Sequence, residues 1–314
     1  MKEPQEIHQS TAHRIVKRMK HLSKWAKGQR VSYFRVFDRD IPGVPFMIDC
    51  LSTHWLVWVC ENNLENEAAH IDAISNTLHS INDQKVIVKY RSKKNTIKQH
   101  HFQQDETCQI QEGGLQFHLN LTRYLDTGLF IDHRKTRDYI RSKAKGMRVL
   151  NLFAYTGSFS CYALDGGANF VTSVDLNPSY SEWHQRNCEL NNFSNKRYAI
   201  ITADVMTFLK ANKSKYDIII CDPPSFSQSK RKGVQMFQIQ DHATPLINAC
   251  FKSLKKSGFI LFSTNYRKFN MSKAQGGLSW QVRDLTSAMC SKDFEGKWMS
   301  RCWEIHHEAL SGGG

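Results

Sequence analysis

The fold is decided by the stretch VLNLFAYTG at residues 149–157. Its first part is an apolar run of strand length, which continues into a short loop that closes at Gly157. A helical pattern follows at 158–166, so the stretch predicts a strand, a loop and a helix in direct succession. That succession is the repeating unit of parallel α/β sheets.

The alternation of strand and helix continues along the chain after this stretch. Strand-like runs and helical patterns follow one another at 170–176, 178–191, 198–202, 205–210, 216–221, 237–255 and 258–264. This order predicts a doubly wound, mostly parallel sheet. Two further strand candidates, at 280–287 and 301–306, would add an antiparallel hairpin and bring the sheet to seven strands.

The front of the chain has a different pattern. Residues 11–28 carry apolar positions at helical spacing with basic residues around them, which predicts a basic amphipathic helix. Strands, one helix and a terminal hairpin are predicted at 33–37, 45–51, 55–60, 64–78 (the helix), 85–91, 108–111 and 115–119. We therefore expect a smaller α+β domain at residues 1–119 and a larger α/β domain at residues 120–310.

The charge balance favours a polyanionic partner. Lys and Arg number 43 against 29 Asp and Glu, which gives a formal net charge of +14 and a surface field that attracts nucleic acid. No apolar run approaches the roughly 20 residues of a membrane helix, and the N-terminal residues lack a signal-peptide core. Nine cysteines stand apart without C-x-x-C spacing, so we expect a cytoplasmic protein with reduced thiols and no metal site.

Four motifs fall at predicted strand ends, where parallel sheets bind their ligands. The loop closed by Gly157 lacks the extra glycines of a pyrophosphate site, whereas S-adenosylmethionine carries no phosphate and needs only one such close approach. Asp175 follows the second strand and suits the two ribose hydroxyls. Asp204 follows the third strand and would accept from the adenine amine, with Val205 packed on the ring. Both aspartates could instead be helix N-caps.

The fourth motif is CDPPSF at residues 221–226. Two prolines rigidify a loop at a strand end, where no backbone N–H is needed to bond a neighbouring strand. An aspartate, two prolines, a polar residue and an aromatic residue would hold a reacting base beside the cofactor. Together, the four motifs predict a methyltransferase that uses S-adenosylmethionine.

These motifs resemble those of the large-subunit ribosomal RNA methyltransferase K family, the guanine-N7 half of the fused K/L enzyme. The resemblance rests on YLDTGLFIDHR (124–134), NLFAYTGS (151–158), SVDL (173–176), CDPPSF (221–226) and FSTNYRKF (262–269). It implies a Rossmann-like class I methyltransferase fold and large-subunit rRNA, before full ribosome assembly, as partner. The guanine-N2 methyltransferase domain of the fused enzyme is absent from this sequence and would be a possible partner.

The resemblance also implies a set of site residues. Arg134 would pair with the methionine carboxylate, in a contact that can be bidentate. Together with the four motifs, it gives the predicted cofactor residues Phe130, Asp132, Arg134, Asn151, Phe153, Tyr155, Gly157, Asp175, Leu176, Asp204, Val205, Asp222 and Pro223.

The nucleophiles that the motifs contain limit which base atom can be methylated. Cytosine C5 chemistry needs a cysteine thiolate, but Cys221 precedes the aspartate inside a predicted strand. Amine methylation, as at guanine N2, commonly places an aromatic residue where Ser225 stands. Guanine N7 has a free lone pair and needs only placement and electrostatics. The N7 assignment itself comes mainly from the family resemblance.

Three catalytic residues are predicted on this reading, with Asp222 orienting the base, Phe226 stacking on it and Asn265 donating to guanine O6. Arg267 is a second candidate donor. RNA would be bound by basic residues at three places besides Arg267, namely Lys17 and Arg18, Lys93 and Lys94, and Lys230, Arg231 and Lys232. A catalytically inactive RNA-binding protein and a small-molecule methyltransferase are the alternatives.

Overall fold

A computed structural model describes residues 4–61, 65–91, 105–227 and 237–307. The chain divides into two compact units. The first consists of Met1–Ile131 together with Ser291–Lys297, and the second consists of Asp132–Cys290 together with Trp298–Gly314. No described helix is long and apolar enough to cross a membrane.

The first unit combines two helices with a four-stranded sheet and a separate hairpin. Its elements are α1 (Pro4–Gly28), β1 (Tyr33–Asp38), β2 (Phe46–Leu51), β3 (His54–Val59), α2 (Glu67–Ile81), β4 (Lys85–Tyr90), β5 (Thr107–Glu112) and β6 (Leu115–Asn120). The sheet has the order β1-β2-β3-β4, with only the β3–β4 pair parallel, and β5 pairs with β6. Apolar residues of both helices and of β1 to β3 form one core.

The first compact unit extends beyond the boundary expected after residue 119, because the segment that follows β6 is bonded to it. The Tyr33 hydroxyl lies 3.1 Å from the Thr127 hydroxyl, and Lys89 Nζ donates to the Tyr124 carbonyl at 2.7 Å. The later piece Ser291–Lys297 also belongs here, since the Asp293 carboxylate accepts from the Arg35 amide at 3.2 Å. Such long-range pairing leaves no local pattern in the sequence.

The second unit is built on a seven-stranded sheet. Its strands are β7 (Arg148–Leu152), β8 (Phe170–Asp175), β9 (Tyr198–Thr202), β10 (Tyr216–Cys221), β13 (Leu254–Thr264), β14 (Gln281–Asp284) and β15 (Arg301–His306), and a two-residue pair, β11 (Phe226–Ser227) and β12 (Phe237–Gln238), lies outside the sheet. The order is β14-β15-β13-β10-β7-β8-β9, with the last five strands parallel and both β15 pairings antiparallel. The predicted fold class, including the closing hairpin, is confirmed.

The helices of this unit are α3 (Arg134–Lys143), α4 (Ser158–Asp165), α5 (Pro178–Leu190), α6 (Val205–Ala211), α7 (Ile239–Ser253) and α8 (Met271–Gln275). Helices α4 to α7 follow the predicted alternation. The sequence reading missed α3, because its buried face contains two arginines and a threonine beside Ile140. A mostly polar buried face gives no apolar periodicity to detect.

Candidate active site

The carboxyl ends of the parallel strands meet in register. Leu152 at the end of β7 pairs with Cys221 of β10 on one side and with Val174 of β8 on the other. The residues that follow these strands are therefore neighbours at one edge of the sheet. The chain order reverses between β10 and β7, and such a switch point is where open α/β sheets bind ligands. Adjacent strands lie about 4.8 Å apart, so the Asp175 and Asp222 positions are separated by roughly 10 Å.

Asp175 ties the first three strand ends together. Its Oδ2 accepts from the Tyr155 amide at 2.8 Å, its Oδ1 accepts from the Asn177 amide at 2.9 Å, and its carbonyl accepts from the Ala203 amide at 2.9 Å. Each carboxylate oxygen has a second lone pair. Asp175 is only partly exposed, and this burial raises its pKa against the opposing effect of the backbone amides.

The loop after β7 adopts an unusual backbone. Phe153 and Tyr155 have φ values of 57° and 50°, which bulky side chains rarely adopt. The Tyr155 ring packs edge-on against Tyr180 at a centroid distance of 4.6 Å. Strained backbone clusters at functional sites, and this loop lies beside the strand ends that carry Asp175 and Asp222.

Gly157 is required for a reason that the sequence did not reveal. Its φ is 78°, and a Cβ atom there would lie 1.9 Å from Cδ2 of the buried His184 ring. The glycine therefore makes room for His184 beneath the loop. This finding accounts for the residue without the close cofactor approach that we expected of it.

Asp204 fills the N-cap role that was its alternative interpretation. Its Oδ1 accepts from both the amide and the hydroxyl of Thr207 at 2.8 Å, and these bonds use only that oxygen. Val205 is buried in the core, with 3% of its surface exposed, so it offers little area to an adenine ring. The neighbouring Met206 and Leu176 are partly exposed, and both could supply that apolar surface.

Asp222 is held from two sides. Its Oδ1 accepts from the Ser263 hydroxyl of β13 at 2.7 Å, and its Oδ2 lies 3.5 Å from Nε2 of the buried His133. His133 was part of the DHR run at 132–134 but received no role from the sequence. The adjoining Pro223 is buried, which fixes the backbone beside the carboxylate.

A second polar pair follows the two prolines. The Ser225 hydroxyl donates to the Asn265 side-chain oxygen, so the amide nitrogen of Asn265 remains directed elsewhere. Phe226 is 58% exposed and meets the Tyr266 ring edge-on at 6.3 Å. An exposed aromatic ring beside an exposed amide donor is an arrangement that can receive a flat, polar base.

Comparison with known proteins places this site in a family. A family profile described as S-adenosylmethionine-dependent methyltransferase matches residues 64–247. The "Ribosomal RNA large subunit methyltransferase K" of Neisseria meningitidis is 36% identical over 95% of this chain and 87% of its own length. The chain belongs to the ribosomal RNA large subunit methyltransferase K family.

Fused relatives and solved structures complete the comparison. The K/L protein of Pseudomonas syringae pv. tomato is 38% identical, and the chain spans 40% of it. A methyltransferase crystal structure complexed with SAH matches with a TM-score of 0.77 at 23% identity, covering 95% of this chain and 81% of that one. A Streptococcus mutans S-adenosylmethionine-dependent methyltransferase gives 0.76 at 24%, with the same coverage. These likenesses support the fold.

S-adenosylmethionine is the cofactor of this K-family chain, and the residues at the strand ends fit it. Asp175 has acceptor positions for ribose hydroxyls, and the loop between Phe153 and Gly157 borders the same edge. Leu176 and Met206 offer apolar surface for the adenine. The methionine end would lie toward the Asp222 loop, where the reacting base must also be placed.

Several cofactor residues predicted for this K-family member have other surroundings. Asn151 is 2% exposed and donates to the Ser160 hydroxyl at 2.8 Å, so its side chain positions the sheet instead of facing a ligand. Asp132 accepts from the Ser300 amide and hydroxyl at 2.9 and 2.7 Å. Burial alone would raise the Asp132 pKa, but the His133 charge and the Ser300 bonds together lower it.

The remaining predictions stay open. Arg134 is buried at the start of α3, and Phe130 is partly exposed and belongs to the first unit. Arg267 is exposed, with its guanidinium 4.9 Å from the Trp298 ring centroid. Lys17 is exposed, whereas Arg18 is half-buried and donates to the Asp293 carbonyl at 3.3 Å. The predicted RNA residues Lys93, Lys94, Lys230, Arg231 and Lys232 lie outside the described residues.

Proposed function

We propose that this protein transfers a methyl group from S-adenosylmethionine to N7 of a guanine in large-subunit ribosomal RNA. Its relatives are ribosomal RNA methyltransferases, which supports an rRNA substrate, and the net charge of +14 suits a polyanion. An rRNA substrate also favours a cytoplasmic location. The choice of N7 rests on the chemistry of the groups around the Asp222 loop.

The observation that carries the proposal is that this loop offers orienting groups and no thiol nucleophile. All nine cysteines lie in the described part of the chain. Cys221, the one next to Asp222, is fully buried, and its burial raises its pKa well above the ordinary value. A buried thiol with a raised pKa does not supply the thiolate that cytosine C5 methylation requires.

The two polar pairs define how a guanine would be held. Asn265 accepts from Ser225 through its oxygen, so its amide group is available to donate to guanine O6. Asp222 accepts from Ser263 and is placed to accept from the donor edge of the base. Phe226 supplies an exposed stacking face. The base must first leave its stack, which costs a few kcal/mol.

S-adenosylmethionine supplies an electrophilic methyl group when bound. N7 carries a free lone pair and no proton, so the protein need not provide a base for this step. The residues bind the base, exclude water and direct N7 toward the methyl group. Positioning is therefore the main catalytic contribution that we assign to Asp222, Phe226 and Asn265.

Nucleoside mass spectrometry tests the proposal directly. Ribosome-free large-subunit rRNA is incubated with the protein and the cofactor, and the digested nucleosides are compared with those of the untreated RNA. We expect 7-methylguanosine, and a loss of at least about 100-fold in rate for Asp222→Ala. Formation of N2-methylguanosine or 5-methylcytidine instead would show that another atom is the target. A near-wild-type rate for Asp222→Ala would remove Asp222 from the mechanism.

The fused relatives suggest a partner activity. The chain spans about 40% of the K/L proteins that it matches. We propose that a guanine-N2 methyltransferase module acts on the same RNA. Adding such a module to the reaction above, and measuring whether the rate of 7-methylguanosine formation changes, tests this cooperation.

A further inference from the structure

The first unit carries a lysine-lined groove along α1. It has a volume of about 760 Å³ and is lined mainly by Lys17, Lys20, His21, Lys24, Trp25 and Lys292. The first five stand on one side of α1, because their spacing follows the helical repeat. Lys292 reaches the groove from the Ser291–Lys297 piece of the same unit. No carboxylate belongs to this lining.

In the described part of the chain, the lysines that line the groove have no carboxylate partners. Elsewhere, many cations have carboxylate partners, as in the pairs Arg91–Asp126, Arg123–Asp105 and Lys255–Asp217. Within the described ranges, neither ion pairs nor side-chain hydrogen bonds are found for the four groove lysines. Four unpaired positive charges therefore lie close together in one groove.

A neighbouring depression provides an internal comparison. It shares Lys17 with the groove but also contains Arg14 and Asp40. The Asp40 carboxylate pairs there with Arg14 at 3.8 Å and with Lys297. The depression therefore has a carboxylate among its cations, whereas the described residues that line the groove include none.

One aromatic ring stands among the groove lysines. Trp25 is partly exposed, and its inner edge packs against Phe34 at a centroid distance of 6.3 Å in a T-shaped arrangement. This packing fixes the ring while part of it faces the groove. Sites for single-stranded nucleic acid combine a cationic groove that follows the backbone with an aromatic ring on which a base stacks.

We propose that the groove formed by Lys17, Lys20, Lys24 and Lys292 binds the phosphate backbone of a single-stranded RNA segment, with one base stacked on Trp25. This inference rests on the proposed rRNA substrate and names a second place where that RNA is held. From Lys17 to Gly28, α1 rises by about 16 Å, a length suited to a few successive phosphates. A duplex would use phosphate contacts alone and would leave the exposed part of the Trp25 ring without a base to stack on.

Salt dependence of binding tests the phosphate contacts. Four lysine–phosphate contacts to a single strand give a slope of log K against log salt of roughly −3. The variant Lys20→Ala/Lys24→Ala should reduce the magnitude of the slope by about 1.4, measured on a short single-stranded RNA between ~50 and ~200 mM salt. The matched control is Lys210→Ala/Lys213→Ala, which removes two exposed charges from the second unit.

Replacement of Trp25 tests the stacking contact. Trp25→Leu should weaken single-strand binding by about tenfold and abolish quenching of a 2-aminopurine placed in the RNA, whereas Trp25→Phe should retain both. Because Trp25 also packs on Phe34, each variant is first checked for an unchanged thermal midpoint and cofactor affinity. If Trp25→Leu is destabilised, the lysine variants still decide the phosphate contacts.

Two outcomes would overturn the groove proposal. One is an equal change in the salt-dependence slope for the groove and control variants, which would show that general surface charge causes the effect. The other is a larger groove-dependent loss on duplex than on single-stranded RNA. Methylation of rRNA by the wild-type protein is measured in parallel. If 7-methylguanosine forms but the groove variants bind RNA normally, only the groove proposal fails. If the groove variants bind RNA more weakly but no 7-methylguanosine forms, only the N7 proposal fails.

Discussion

His184 Cδ2 occupies the position in which a Cβ atom of residue 157 would lie, so Gly157 and His184 are one packing unit. The imidazole is 1% exposed and supports the loop whose Tyr155 amide is bonded to Asp175. The shape of the cofactor loop therefore depends on a residue of α5 that would not itself touch the cofactor.

Gly157→Ala should destabilise the protein more than a glycine substitution that only strains the backbone. The control is Gly167→Ala, because Gly167 also has a positive φ of 85° but its nearest neighbour is a Lys145 side-chain atom 3.6 Å away. Both variants lose about 1–2 kcal/mol from the left-handed backbone, and Gly157→Ala should lose a further 1–3 kcal/mol or so from overpacking. Chemical denaturation measures both, and equal losses would contradict the packing argument.

Ser263→Ala should slow methyl transfer without preventing cofactor binding. The Ser263 hydroxyl donates to Asp222 at 2.7 Å, and a hydrogen bond to a charged group contributes about 1.5–3 kcal/mol. Loss of this orientation should lower the rate about tenfold or more in single-turnover assays. Ser272→Ala, on an exposed residue of α8, is the control. An unchanged rate in Ser263→Ala would show that Asp222 is held in place without this bond.

Asp175→Asn should weaken cofactor binding and should abolish the decrease in cofactor affinity that the wild type shows at acidic pH. Burial raises the Asp175 pKa, so the carboxylate is protonated at a higher pH than an ordinary aspartate. Cofactor affinity of the wild type should fall as the pH decreases through that raised pKa, because acceptor capacity is lost. Calorimetry should show affinity at least about tenfold lower at neutral pH and a flat pH profile for the variant. Asp165→Asn, on an exposed residue, should behave like the wild type.

Lys89 should make the first unit more stable as the solution becomes alkaline. Burial lowers the Lys89 pKa to about 8, while the unfolded chain keeps the ordinary value of 10.5 or so. Between these values the unfolded state binds more protons, so the free energy of unfolding rises with pH. Relative to Lys89→Met, the wild type should gain on the order of 3 kcal/mol across that range in urea denaturation. A constant difference would contradict the lowered pKa.

Ser300→Ala should reveal the ionised state of Asp132. The Ser300 bonds and the His133 charge outweigh burial and lower the Asp132 pKa, so this carboxylate contributes stability above the unfolded value and loses it as the pH falls through the folded one. We expect the variant to lose about 1–3 kcal/mol near neutral pH. The difference in unfolding free energy between the variant and the wild type should become smaller in acid. A difference that does not change with pH would show that lost packing causes it.

The sequence predicted the parts of this protein that depend on local patterns. Each parallel strand is an apolar run, and the acids that end β8, β9 and β10 stand at predictable places. The polar face of α3 and the joining of Asp293 to Arg35 gave no such pattern. Two functional neighbours were also missed, since His133 and His184 are buried polar rings whose significance depends on contacts with Asp222 and Gly157. The burial of Lys89 beside Trp58 was not predicted either, because a lysine in a strand is usually exposed.

The return of Ser291–Lys297 to the first unit has a consequence for how the protein is made. A chain that emerges from the ribosome in order exposes Arg35 long before Asp293 exists, so the first unit stays incomplete until residues 291–297 have been synthesised. Most of the catalytic unit, by contrast, can be present before that last piece appears. The first unit would then reach its final form only after this later piece has emerged, and a protein truncated before residue 291 would lack a piece of each unit.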